Sequence, residues 1–102
     1  MKQYEILLVN FDPTLGSEIK KTRPCVVISP NEMNAHLNTI IVAPMTSTSK
    51  AYPSRIEIDE NSYAALDQIR TIDKQRVIKK IGKLQTPSIK AHKAVIKEML
   101  VD

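Results

Sequence analysis

The segment richest in usable chemistry is Gly16-Ser17-Glu18-Ile19-Lys20-Lys21-Thr22-Arg23-Pro24. Glycine and polar residues make a loop of it, and Arg23 stands where that loop meets a β-branched run. Pro24 biases the residue before it toward extended backbone, so the Arg23 side chain leaves from a nearly fixed point. A guanidinium held that way grips phosphate oxygens through two parallel hydrogen bonds. The same composition also suits a solvated basic loop making surface ion pairs, and this segment alone does not separate the two.

Two further clusters carry reactive or recognising groups. Thr46-Ser47-Thr48-Ser49-Lys50 follows Pro44 at the end of an apolar run. Its hydroxyls suit a phosphate or a reacting hydroxyl when an arginine is near, yet such a run is ordinarily a turn. Asp67, Gln68, Arg70 and Asp73 offer hydrogen bonds to base edges or to a protein partner; their alternative is a salt-bridged surface face. Other chemistries fall away. His36 and His92 are too far apart in sequence for a histidine-rich metal site, and the single cysteine, Cys25, permits neither an internal disulfide nor a cysteine-cluster metal site. Set between Pro24 and Val26, Cys25 reads as a buried structural thiol. With only Gly16 and Gly82, the chain has no glycine-rich phosphate loop, which removes the NTPase and dinucleotide-binding classes.

The elements that must position these groups follow from patterning. Ile6–Val9 is a short buried strand closed by the turn Asn10-Phe11-Asp12-Pro13, and the chain from Asp12 to Thr22 is a mobile loop. Pro24–Ser29 is a second strand, broken by Pro30–Asn34, and Thr39–Ala43 a third, stopped by Pro44. Met45–Pro53 is a loop. Arg55–Asp59 alternates polar and apolar as a half-exposed strand does. Between Ala64 and Leu84 the repeat of Leu66, Ile69 and Ile72 looks helical while residue types lean weakly to strand, so periodicity leaves that segment open. Thr86 as N-cap and Pro87 at the first helical position open a C-terminal helix with Ile89, His92, Ile96 and Met99 along one face. His92 on that stripe reads as a packed core or interface histidine rather than a ligand. Four or five short strands closed by one helix, without crossover helices, favour an antiparallel partly open barrel.

The chain has 102 residues, 42% of them hydrophobic, enough for one domain spanning 1–102 with a modest core. No apolar run reaches the roughly 18 residues of a membrane span, and the start of the chain lacks a signal-peptide layout, so the expectation is a cytoplasmic protein without membrane contact. Fifteen Lys and Arg against eleven Asp and Glu give a net charge of +4, compatible with an anionic partner such as nucleic acid. Tyr4, Phe11, Tyr52 and Tyr63 are the only aromatics, poor material for base-stacking platforms.

The clusters also stand in a familiar order. Phe11-Asp12-Pro13 with Gly16-Ser17-Glu18, then Thr22-Arg23-Pro24-Cys25-Val26-Val27-Ile28-Ser29, then Ala43-Pro44-Met45-Thr46-Ser47, and later Leu66-Asp67-Gln68-Ile69-Arg70-Thr71-Ile72-Asp73-Lys74, resemble the MazF/PemK toxins of type II toxin–antitoxin systems. The resemblance covers about Ile6 to Leu84. It implies a mainly β (α+β) fold: an SH3-like, partly open antiparallel barrel of the CcdB/MazF type with a C-terminal α-helix, assembled as a homodimer. It makes Leu66 to Ile72 a strand. The activity implied is a metal- and cofactor-independent endoribonuclease, an mRNA interferase that cuts single-stranded RNA sequence-specifically. The 2′-hydroxyl is the nucleophile, and the ends are a 2′,3′-cyclic phosphate and a 5′-hydroxyl. The partner implied is a cognate antitoxin with an acidic, disordered segment.

Carried over position by position, the resemblance makes Arg23 and Thr46 catalytic, with Glu18 at an acidic position of some members. Ser17, Ser47, Asp67, Gln68 and Arg70 fall on substrate-binding positions. Some relatives use an arginine–aspartate pair, but Ala65 stands where that arginine would lie. Two other readings share the fold class: a CcdB-type DNA gyrase inhibitor, disfavoured because the chain lacks tryptophan, and a non-catalytic SH3-like binding module, disfavoured by Arg23 and Thr46 together.

Overall fold

The computed structural model describes residues 1–11, 22–47, 53–59 and 61–101. Among them the order is β1 (Glu5–Asn10), β2 (Thr22–Val27), α1 (Asn31–His36), β3 (Thr39–Thr46), β4 (Arg55–Asp59), β5 (Ser62–Ala65), β6 (Arg70–Asp73), β7 (Val77–Lys83) and α2 (Thr86–Leu100). The strands run β4-β5-β3-β2-β1-β7, with β6 on β3 beside β5. Every recorded pairing is antiparallel. The sheet stays open, as the partly open barrel expected from the sequence requires.

Strands that are apolar on both faces need two cores, because successive side chains point to opposite sides of a sheet. Leu7, Val9, Cys25, Val27, Ile40, Val42 and Ile72 fill the first, with Phe11 and Val77 packed against it. Val26, Met45, Ala64 and Leu84 form the second, covered by Ile6, Ile28, Ile58 and Ile89. Ile89 belongs to α2, so the C-terminal helix closes the second face. His92 of the same helix is fully buried, its Nδ1 2.7 Å from the Ser88 carbonyl oxygen.

Several local expectations are corrected. Pro44 does not stop β3, which continues to Thr46. On one edge β3 pairs with β6 over Thr39–Val42 and with β5 only at Met45 and Thr46. Pro44 falls in the gap between those ladders, while on the other edge of β3 it pairs with Cys25. Pro30–Asn34 is more than a break, since α1 begins at Asn31. Asn34 anchors it by donating from Nδ2 to the Ser29 carbonyl oxygen at 2.9 Å, and Lys74 Nζ donates to the Asn34 carbonyl oxygen. Leu66–Gln68 is a 3-10 turn rather than strand, and β6 begins at Arg70; a second 3-10 turn, Lys74–Arg76, leads into β7. The first turn spaces Leu66 and Ile69 three residues apart, while Ile72 of the same repeat belongs to β6. The N-cap of α2 is Gln85, one residue before Thr86, and it makes no side-chain capping bond. Within the loop expectations, residues 12–21 and 48–52 lie outside the described residues.

Candidate active site

Strand register gathers the chemistry at one end of the first core. Arg23 pairs with Val9, so its side chain leaves on the face that Val9, Cys25 and Val27 share. Cys25 pairs with Pro44. Arg23 lies two residues before Cys25 and Thr46 two residues after Pro44, which in an antiparallel arrangement brings both to one level of one face. Arg23 is exposed and Thr46 half-buried. Arg70 pairs with Val42, also of the first core, and its Cζ lies 4.8 Å from the centroid of the Phe11 ring. Arg23, Thr46, Phe11 and Arg70 thus rim a single apolar floor.

The thiol at that floor registers the charges around it. Burial pushes Cys25 up to about 12, while the fields of Arg23 and then Arg70 act in the opposite direction. Two guanidiniums therefore converge on one spot, and the thiol beneath them stays neutral and inert. That agrees with its reading as a structural residue. An exposed pair of guanidiniums above an apolar floor can hold an anion such as a phosphate.

Asp67 and Gln68 sit exposed on the 3-10 turn between β5 and β6. Asp67 is held by a residue that sequence reasoning passed over. Arg55 Nε donates to its Oδ1 at 3.0 Å and Ser54 Oγ donates to the same oxygen at 3.1 Å. The Arg55 hydrogen bond is the main reason the Asp67 carboxyl lies below its ordinary value. Arg55 pairs across the ladder with Ala65, the position where the resemblance would have placed an arginine. The guanidinium beside Asp67 is supplied from the adjacent strand instead. Alternation in Arg55–Asp59 indicated a strand; only register could show what Arg55 faces. Phe11 was read as part of a turn, and its role beneath Arg70 likewise emerges only from the fold. Ser47 is exposed just past β3. Ser17 and Glu18, and the hydroxyls of Thr48 and Ser49, lie outside the described residues.

The family model described as PemK-like, MazF-like toxin of type II toxin-antitoxin system matches residues 2–100. Endoribonuclease MazF of Staphylococcus saprophyticus is 33% identical over 99 residues, covering 88% of this chain and 82% of that one. Endoribonuclease toxin MazF of Escherichia coli K12 is 35% identical over 71 residues, covering 67% of this chain and 64% of that one. Among solved structures, an endoribonuclease in complex with its cognate antitoxin from Mycobacterial species superposes with a TM-score of 0.84 at 14% identity, covering 98% of this chain and 94% of that one. At that identity the superposition speaks for the fold.

Proposed function

This chain belongs to the PemK-like, MazF-like toxins of type II toxin–antitoxin systems, and on that premise we propose that it is an endoribonuclease cutting single-stranded RNA between Arg23 and Thr46. The observation that carries the reading is the common level and face of these two residues, which come from separate strands. In-line attack by a 2′-hydroxyl builds negative charge on the phosphoryl oxygens. A fixed guanidinium stabilises that charge more in the transition state than in the ground state. The Thr46 hydroxyl donates to a non-bridging oxygen and holds the scissile group in line. The bond from phosphorus to the 5′-oxygen breaks and the departing oxygen takes a proton from water, leaving a 2′,3′-cyclic phosphate and a 5′-hydroxyl end. No metal enters these steps.

Proton transfer needs further groups. Arginine stays protonated at ordinary pH, so Glu18 is the proposed base that takes the 2′-hydroxyl proton. Ser17, Ser47, Asp67, Gln68 and Arg70 bind the strand on either side. The Arg55 bond to Asp67 holds the 3-10 turn so that Gln68 keeps its place along the groove. The protein works as a single-domain cytoplasmic homodimer, and no helix among the described residues is long and apolar enough to cross a membrane. Its proposed regulator is an antitoxin whose acidic segment lies across Arg23 and Arg70, competing with RNA for the same positive charge. Charge complementarity supports that choice, as does the antitoxin complex among the structural neighbours.

End-mapping on a long unstructured RNA with EDTA present, comparing wild type with Arg23→Ala, tests the reading. Discrete cuts with 5′-hydroxyl ends, absent in the variant, are the expected result. Wild-type protein that leaves the RNA intact would refute it.

A further inference from the structure

Beside the Arg23 rim lies a cavity of about 340 Å³ walled by Phe11, Arg70, Thr71, Ile72, Asp73 and Arg76. That size falls within the ~300–1,000 Å³ range of small-molecule pockets. Its arrangement is specific. Phe11 packs on the first core with one side and carries the Arg70 guanidinium 4.8 Å above its ring. A guanidinium seated on a ring by cation–π attraction is held in place, and as Arg70 is exposed its outer side remains available. A planar, delocalised cation presented this way is a stacking platform for a nucleobase. Arg76 adds a second positive charge at the wall. Asp73 accepts the Gln75 N–H on Oδ1 at 2.8 Å, which fixes its carboxylate at the start of the second 3-10 turn. Among the described residues it is the one acid on a wall that also carries Arg70 and Arg76.

We infer that this cavity is a nucleobase pocket for a residue flanking the cut, in which the base stacks on Arg70 and gives an amino hydrogen to Asp73. The inference rests on the ribonuclease reading above and deepens it. A carboxylate accepts from the amino groups of cytosine, adenine or guanine and repels the carbonyl edge of uracil. One position near the scissile bond should therefore disfavour uridine. Phe11 is a positioning residue here: it acts through Arg70 and does not touch the base.

The test uses full-length protein and a set of short RNAs that vary one base at a time around the mapped cut. Wild type should prefer an amino-bearing base over uracil by about tenfold at one flanking position. Asp73→Asn keeps an oxygen for Gln75 but brings an amide donor, and should bring that preference below about threefold. Phe11→Leu preserves apolar volume but removes the ring under Arg70; it should raise KM about tenfold while leaving kcat within about twofold. Cleavage by wild type with unchanged base preference in Asp73→Asn and unchanged KM in Phe11→Leu would overturn the pocket and leave the nuclease standing. Failure of wild type to cut any RNA would overturn both.

Discussion

Replacing Asp67 by alanine should cost more stability than replacing its partner Arg55 by leucine, although the two variants break one ion pair. The reason is unequal burial. The Arg55 and Asp67 side chains are 10% and 36% exposed, with Nε and Oδ1 3.0 Å apart. Asp67→Ala strips the counter-charge from a guanidinium that water barely reaches. Arg55→Leu leaves a carboxylate that water can solvate, and leucine refills part of the space beside the aliphatic stem. Orphaning a fully buried charge costs about 3–5 kcal/mol, whereas a fully exposed pair contributes about 0–1 kcal/mol. With one end buried and one open, Asp67→Ala should cost about 2 kcal/mol and Arg55→Leu about 1 kcal/mol. For a domain of this size, 2 kcal/mol lowers Tm by roughly 8–16 °C. Urea unfolding of wild type, both single variants and the double variant at pH 7 gives the coupling, expected near 1 kcal/mol. The Asp67 carboxyl is held below its ordinary 3.8, so the pair's contribution is complete above pH 3.8 and is lost as pH falls below that toward the folded value. Equal costs for the two variants, or costs that simply add in the double variant, would refute the reasoning.

Arg23→Ala should lower the cleavage rate about 100- to 1,000-fold, the typical loss of one preorganised donor; because Arg23 is exposed, Tm should hardly move, and calorimetry alongside the rate assay separates the two. Burial holds His92 below its ordinary 6.5, with the Ser88 carbonyl pulling the other way. Stability should thus be complete above pH 6.5, fall as pH drops through 6.5 toward the folded value, and level off below it. His92→Gln should abolish that slope in pH-resolved denaturation, and a slope that survives would mean another group titrates. Cys25 should stay unmodified by iodoacetamide in the native state at pH 8 and react at the rate of a free thiol once unfolded, since burial raises it to about 12. Rapid native-state labelling would show that the floor beneath Arg23 opens readily.

Much of the frame could be read from the chain alone, because its determinants are local. The apolar runs Ile6–Val9 and Cys25–Ile28 bury both faces of a strand whatever surrounds them. The alternation of Arg55–Asp59 can only expose one face. Pro24 fixes the backbone before it, which is why Arg23 was legible as an anchored cation. Pro87 near the helix start made α2 legible within one residue of its cap. The order of those blocks also sufficed to indicate the family.

What only the tertiary structure decided concerns neighbours distant in sequence. No local pattern says that β3 changes partners at Pro44, so a proline that ordinarily ends a strand was misread as doing so. Nothing in Ser54-Arg55 announces Asp67, and nothing in Phe11 announces Arg70; these meetings depend on pairing register across strands that the chain reaches only after intervening loops. Periodicity reports which way a side chain faces relative to its own neighbours. Whether that direction leads to water, to a counter-charge or to an aromatic ring is fixed by the closure of the sheet.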